Sequence, residues 1–451
     1  DATTITKNFA AVTYTGNGTS QDTVTGISSV DFTVSANGSG YWLDRTVNQV
    51  KTDAGVVQVS AGSCVVNTSK VHIKSRSIVS GNVIIDGIRN GINYVFTNEV
   101  NAEAEDGNMI TAFTQTGFTL GISGTTNQNL VTYIAYQTLY THIKWGVTSQ
   151  GKFQIEAYNP VTEEGMIYYI GSGLAGHQIS HSMGVEIDYL EVKSLDSTHN
   201  WQTNTTDYRG TLNTTASFTA LDSYAVYSSK DNIYTGSNVA SENNNGSYSY
   251  IMYYKCKSET FTIGTYTGTG VAGNFIETKD VNGVARKPRR IIFKRTDIAN
   301  GWHVTDSERG ETAYFFLDTS AAEGTASIAA YNTNGFTISD TGNGTNASGG
   351  QYLYLVEFDT NGDGGDSYFP LPTDDTNLNL TSVVANYTNG KDTNGFIRST
   401  ESVTASVDFT GVSDGFKWVA KEEGGVYSFY DKEPSVGLYE KLSADDNRLV
   451  F

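Results

Sequence analysis

The stretch "FDTNGDGGDSYF", Phe358 to Phe369, places oxygen-bearing side chains at the spacing of a calcium loop. Asp359, Asn361 and Asp363 alternate, and Gly364 supplies the tight turn that lets alternate oxygens converge on one hard cation. Asp366 adds a further oxygen. The twelfth position is Pro370 rather than a bidentate Glu, and no flanking helices are expected. These residues are expected to form at most a structural calcium site, and an Asp/Gly linker is the competing reading. "GHQISH" offers His177 and His181 on one face of a strand. No third ligand lies nearby, so packing is expected there rather than zinc. Glu163–Glu164 and Glu422–Glu423 are sequence neighbours. On a strand they point to opposite faces and cannot flank one glycosidic bond. No nucleophile elbow, phosphate loop or dinucleotide fingerprint is present. No enzymatic activity is expected, and no cofactor beyond calcium.

One polar pattern occurs more than once. "VHIKSRSIVSGNVIIDGIRNG" (Val71–Gly91) and "RIIFKRTDIANGWHVTDSERG" (Arg290–Gly310) share an outline. Lys74 precedes Asp86 by twelve residues, as Lys294 precedes Asp306, and Arg89 and Arg309 each follow their Asp by three. A middle copy, "LEVKSLDSTHNW" (Leu190–Trp201), leads to Arg209-Gly210, with Thr206 where the Asp would stand. Catalytic constellations are seldom copied with their polar residues altered, whereas structural strand pairs tolerate this freely. The lysines are expected on a solvent face. The Asp306–Arg309 pair reads as a turn-stabilising ion pair, worth ~0–1 kcal/mol if exposed.

The elements carrying these residues also recur. A Tyr-x-Gly-x-Gly head appears as "YTGNG" at Tyr14, "YIGSG" at Tyr169 and "YTGTG" at Tyr266, with a degraded "YTNG" at Tyr387. Aromatic tails follow at Tyr133–Tyr136, Tyr250–Tyr254 and Tyr352–Phe358. The 451 residues hold 47 Gly, 28 Tyr and 20 Phe but 5 Pro, a mixture that favours short strands joined by tight turns. The expected fold is all-β, with tandem antiparallel β-sandwich units. Unit one covers 1–160 with an insertion at about 41–66, unit two 161–260, unit three 261–371, and a partial fourth 372–451. Divergent copies suggest an elongated array. The Trp residues at 145, 201, 302 and 418 are expected to anchor cores, and Cys64 and Cys256 to be buried free thiols. The net charge of -19 repels nucleic acid, and "ARKPRR" (Ala285–Arg290) reads as a solvated strand approach. No stretch approaches the ~18 apolar residues of a membrane span, so membrane insertion is not expected. The chain opens with Asp1 rather than Met, as a processed or partial chain does.

The order of heads, Lys strands, "NW" or "GW", "RG", "GFT" and aromatic tails resembles a concanavalin-like jelly-roll repeat of large virion proteins of tailed bacteriophages. The match is best over 160–360, through "YIGSGLAGHQISHSMGVEIDYLEVKS" and "FKRTDIANGW". It is fair over 10–145 and partial over 380–451. The resemblance implies a virion structural protein, a tail-fibre or appendage component located on the virion. It implies other virion proteins as partners, homo-oligomer formation, and host surface polysaccharide as a candidate ligand. A cell-surface or secreted adhesin is the alternative, followed by a carbohydrate-active enzyme on the same sandwich.

Overall fold

The computed structural model describes residues 9–25, 31–35, 63–67, 69–89, 91–114, 117–222, 226–236, 242–246, 248–358, 397–398, 418–423, 426–431 and 448–449. Among them every regular element is a β-strand, and every strand pairing is antiparallel.

The first sandwich contains β1 (Phe9–Thr15), β2 (Gln21–Thr25), β5 (Ser69–Ser75), β6 (Asn82–Asp86), β7 (Asn93–Phe96), β8 (Ala104–Glu105), β9 (Ile110–Thr114), β10 (Gly117–Leu120) and β11 (Thr132–Leu139), while β3 (Asp31–Ser35) and β4 (Ser63–Asn67) form a separate antiparallel pair. Its large sheet has the order β1-β11-β5-β6-β7-β8, and its small sheet β2-β10-β9. The second contains β12 (His142–Val147), β13 (Phe153–Asn159), β14 (Glu164–Ile170), β15 (Gln178–Ser180), β16 (Tyr189–Ser194), β17 (Gln202–Thr205), β18 (Tyr208–Thr211), β19 (Thr219–Ala220), β20 (Tyr227–Ser228), β21 (Asn232–Tyr234) and β22 (Ser249–Lys255). Its sheets run β12-β13-β14-β22-β16-β17-β18-β19 and β15-β21-β20. The third contains β23 (Phe261–Thr267), β24 (Asn274–Glu277), β25 (Pro288–Arg295), β26 (Trp302–Asp306), β27 (Ala313–Phe316), β28 (Gly324–Thr325), β29 (Ala329–Asn332), β30 (Gly335–Ile338) and β31 (Gln351–Phe358). Its sheets, β23-β31-β25-β26-β27-β28 and β24-β30-β29, repeat the first pattern. The hairpin β12–β13, assigned by sequence to unit one, extends the second large sheet instead. Residues 7–359 form one compact body, and residues 1–6 with 360–451 group separately. In that second group the described strands are β32 (Ile397–Arg398), β33 (Trp418–Glu423), β34 (Val426–Asp431) and β35 (Arg448–Leu449).

Each tail strand explains the layering. Successive side chains of a strand point to opposite faces. On β22, Tyr250, Met252 and Tyr254 enter the core of the second sandwich. The alternate residues Ile251 and Tyr253 enter a different cluster, which also holds Tyr136 of β11 and Leu355 of β31. The large sheets are therefore covered on both faces. The small sheet covers the outer face, and the other two sandwiches cover the inner one. The expected elongated array is corrected here. Both faces of the large sheets are buried, the inner one carrying apolar residues such as Ile84, Ile134 and Ile251 beside polar ones such as His72 and Lys74, so each needs a second cover, and the three sandwiches supply it to one another around a shared core.

The head motif is a packing device. Tyr14, Tyr169 and Tyr266 stack on the tail residues Tyr133, Tyr250 and Tyr352, with ring centroids 5.0, 5.1 and 5.0 Å apart. The following glycine leaves room for a loop: a Cβ on Gly171 would lie 2.2 Å from the Asn245 carbonyl oxygen. Gly171→Ala is expected to lose about 1–3 kcal/mol by overpacking. Gly146→Ala, with nothing within 4 Å of the added carbon, should stay within about 0.5 kcal/mol of the parent. Denaturant midpoints compare the two, and equal midpoints would refute the packing role.

Candidate functional site

The repeated lysines sit at the joints between sandwiches. Lys74, Lys193 and Lys294 are fully buried, and each ammonium donates to two carbonyl oxygens. One lies on its own following turn and one on the neighbouring sandwich. Lys74 Nζ reaches Ser80 O at 2.6 Å and Ser320 O at 3.0 Å. Lys193 Nζ reaches His199 O and Val100 O, both at 2.9 Å. Lys294 Nζ reaches Thr215 O at 3.1 Å and also the Asn300 carbonyl. Burial holds all three pKa values down to about 8. The expectation of a solvent-facing lysine is thus corrected.

Eight residues after each lysine comes a second plug. Trp201 Nε1 donates to Phe96 O at 2.8 Å, and Trp302 Nε1 to Thr211 O at 3.0 Å. In the first sandwich the position is Asn82, whose amide reaches the carbonyls of Phe316, Leu317 and Thr319. Main-chain bonds follow the same route, from Glu103 N to Leu195 O, Phe218 N to Thr296 O and Glu323 N to Arg76 O. The plugs of the first sandwich enter the third, those of the third enter the second, and those of the second enter the first. The contact is head-to-tail, and it closes into a ring of three.

The Asp–Arg pairs belong to the same joints. Asp86–Arg89 and Asp306–Arg309 pair at 2.7 and 2.6 Å, with both side chains at most 1% exposed. Tyr253 Oη donates to Asp86 Oδ2 at 2.7 Å from the second sandwich, and Tyr136 Oη donates to Asp306 from the first. The pairs are buried rather than exposed, so breaking one leaves an uncompensated charge. Lys70 faces Asp86 in the ladder as Arg290 faces Asp306, and Tyr189 faces Thr205, not Thr206.

A cavity of about 70 Å³ lies where the three sheets meet. Its polar lining comes from equivalent ladder positions filled differently in each copy. Lys70, Tyr189 and Arg290 share one position, and Thr138, Lys255 and Glu357 share another. Arg290, the end of the basic run read as solvated, donates to Glu357. Lys255 pairs with Glu164 and, at 3.1 Å, with Glu357. Burial would raise the Glu357 carboxyl, but Arg290 and then Lys255 outweigh it and hold the pKa down to about 2. Burial, then Arg290 and Lys70, keep His72 neutral, well below its usual value. Burial and the Lys255 charge lower Lys70 to about 8. Burial raises Glu191 against the pull of Lys70. This arrangement can bind and orient a small polar group.

The remaining candidates fall elsewhere. Asp359, Asn361, Asp363 and Asp366 lie outside the described residues. Among the described residues no group of three metal-ligating side chains occurs. His177 Nδ1 lies 3.0 Å from Asn244 Oδ1, and His181 Nε2 lies 2.9 Å from Ser229 O; each packs separately against its own partner. Glu164 is bound to Lys255, while Glu163 stands at a positive φ of 53° in the preceding turn. Cys256 is a buried free thiol. The cavity residues Lys70, Glu191 and Glu357 escaped the sequence reading. The signal was present as charged residues inside otherwise apolar strands. Also missed were Asn127, Asn244 and Asn346, fully buried, whose side-chain oxygens accept from Asn17 N, Ser172 N and Thr269 N at 2.9–3.0 Å.

The chain belongs to a family described as a domain of unknown function (DUF7483), whose model matches residues 46–359. No curated protein and no solved structure matches it.

Lys193→Met removes the donor from two buried carbonyls while keeping most of the stem, and should cost about 2–4 kcal/mol. A change under about 0.5 kcal/mol, the range of ordinary surface substitutions, would show that the joints carry no stability. Glu357 contributes stability above its unfolded pKa of 4.5, lost as pH falls through its folded value of about 2. Glu357→Gln is therefore expected to be less stable by about 3 kcal/mol at pH 7, with the gap closing between those two values. Unfolding curves across pH check the sign, and a gap that widens in acid contradicts it.

Proposed function

We propose that this member of the family is a structural protein of a bacteriophage virion, a tail-fibre or appendage component that binds rather than catalyses. One observation carries this reading. The polar residues repeated from copy to copy are committed to joints between sandwiches, as suits a rigid building block. The resemblance of the repeats to concanavalin-like jelly rolls of virion proteins points the same way, as does an acidic surface that disfavours nucleic acid. Other virion proteins and further copies of the chain are the partners this reading implies. An adhesin of a cell surface would use the same body, and genomic context separates the two.

Host glycan binding is favoured by a separate observation. Tyr227 and Tyr234 face each other across β20 and β21 on the small sheet of the second sandwich, with ring centroids 4.9 Å apart and planes 7° from parallel. Tyr227 is 53% exposed, and an exposed aromatic face of this kind stacks on sugar rings. By contrast Tyr253 and Tyr254 are buried.

Antibodies raised against the full chain should label an appendage of purified virions in immunogold micrographs, and mass spectrometry should find the chain in the particles. Its absence from particles would reject the virion assignment. On host polysaccharide, Tyr227→Ala should weaken binding by roughly 1 kcal/mol or more, while stability falls only by the roughly 0.5–1.5 kcal/mol of the lost Tyr234 stacking. Polysaccharide cleavage by the wild-type chain would favour the enzyme alternative instead.

A further inference from the structure

The cavity at the junction of the three sheets holds polar groups that the fold leaves without partners. Among the described residues Lys70 Nζ makes no hydrogen bond and no ion pair, and its one directional contact is the Tyr253 ring, 4.5 Å from the ring centroid. His72 is 93% buried by the 7% it exposes, and its Nε2 has no partner. Glu357 is as deeply buried, and its Oε2 is likewise unpartnered. Glu191 accepts one bond at the cavity wall, from Tyr189 Oη at 2.9 Å. Buried polar groups are normally satisfied, and each exception asks for a ligand or water.

Charge and size narrow the occupant. Lys70, Lys255 and Arg290 balance Glu164, Glu191 and Glu357 around the cavity; the Asp86–Arg89 and Asp306–Arg309 pairs are neutral in themselves, and the further carboxylates on those arginines, Glu103 and Glu323, lie outside its lining. A ligand with net charge would upset that balance where the dielectric is low. The free groups nevertheless include a cation and carboxylate oxygens facing one space, so the ligand needs both an anionic and a cationic end. The volume of about 70 Å³ corresponds to roughly five to seven water-sized positions at ~10–15 Å³ each.

We propose that this cavity binds a small zwitterion of amino-acid size, its carboxylate held by Lys70 and His72 and its ammonium by Glu357 and Glu191. Such a ligand satisfies all four groups at once and leaves the cluster neutral. Burial disfavours the ionised forms of Lys70 and Glu191 in the empty cavity, and a zwitterion relieves both. The site lies away from the exposed Tyr227 face and does not depend on the virion assignment.

The test uses the full chain and isothermal titration with glycine, alanine and serine. Acetate, methylammonium and glycerol serve as comparisons, each carrying part of the ligand's chemistry. Saturable binding of the amino acids with a rise in melting temperature is expected. The half-ligands should bind at least roughly ten-fold more weakly, as loss of charge-assisted bonds implies. Lys70→Met removes a side chain that makes no hydrogen bond, so the fold should persist by circular dichroism while glycine affinity falls roughly ten-fold or more. A crystal of the glycine-soaked protein showing ordered water only would overturn the proposal. So would equal binding by acetate or glycerol, or undiminished glycine binding by a folded Lys70→Met.

Discussion

A β-sheet whose two faces both carry side chains that must leave water has to be covered twice, and that requirement organises the three sandwiches. Each large sheet uses its small partner sheet for one face. For the other face the chain offers only further copies of the same sheet, and these meet in a common cluster. The joints follow from that meeting. A buried backbone carbonyl at a sheet end needs a donor, and Lys74, Lys193 and Lys294 are long enough to carry one across. Their two carbonyl acceptors compensate for removing an ammonium from water, a desolvation felt in the lowered pKa of each lysine.

Joining three copies in one chain changes what the centre can contain. In a ring of identical chains, each position near the axis would present the same side chain three times. Three lysines at the Lys70 position would repel one another by about 4 kcal/mol per pair at 4 Å and moderate dielectric. Here the equivalent residues are Lys70, Tyr189 and Arg290, followed along the next strand by Thr138, Lys255 and Glu357. Opposite charges therefore meet where like charges would have collided. The same freedom removes groups that lack a counterpart. Leu355 stands where Tyr136 and Tyr253 stand in the other tails, and Thr205 where Asp86 and Asp306 stand, so a hydroxyl and its acceptor are lost together.

The all-β fold was legible because turn residues and aromatic tails are local signals. Strand pairing of the repeats was legible too, since Lys74 faces Asn82 in the ladder as Lys294 faces Trp302. What those lysines touch was not legible. A lone Lys in an apolar strand reads as solvent-facing when one sandwich is considered, and its acceptors lie up to 246 residues away. The same separation hid the burial of the Asp–Arg pairs, whose tyrosine partners come from other sandwiches. It also hid the cavity, because no short window of sequence contains Lys70, Glu191 and Glu357 together. The spacing from lysine to Trp or Asn, constant at eight residues, was the trace of the joint in the sequence.

A joint used three times is interchangeable with itself. The lysine of each joint meets a carbonyl of the neighbouring sandwich, its socket, in the same way, and nothing in that contact requires both partners to lie on one molecule. Within the chain the socket is present at an effective concentration on the order of millimolar, so closure onto itself wins in dilute solution. If one joint were held open, its free plug and free socket would sit at opposite ends of the molecule. Head-to-tail contacts that fail to close propagate into filaments, so the closed ring is also what keeps this body finite.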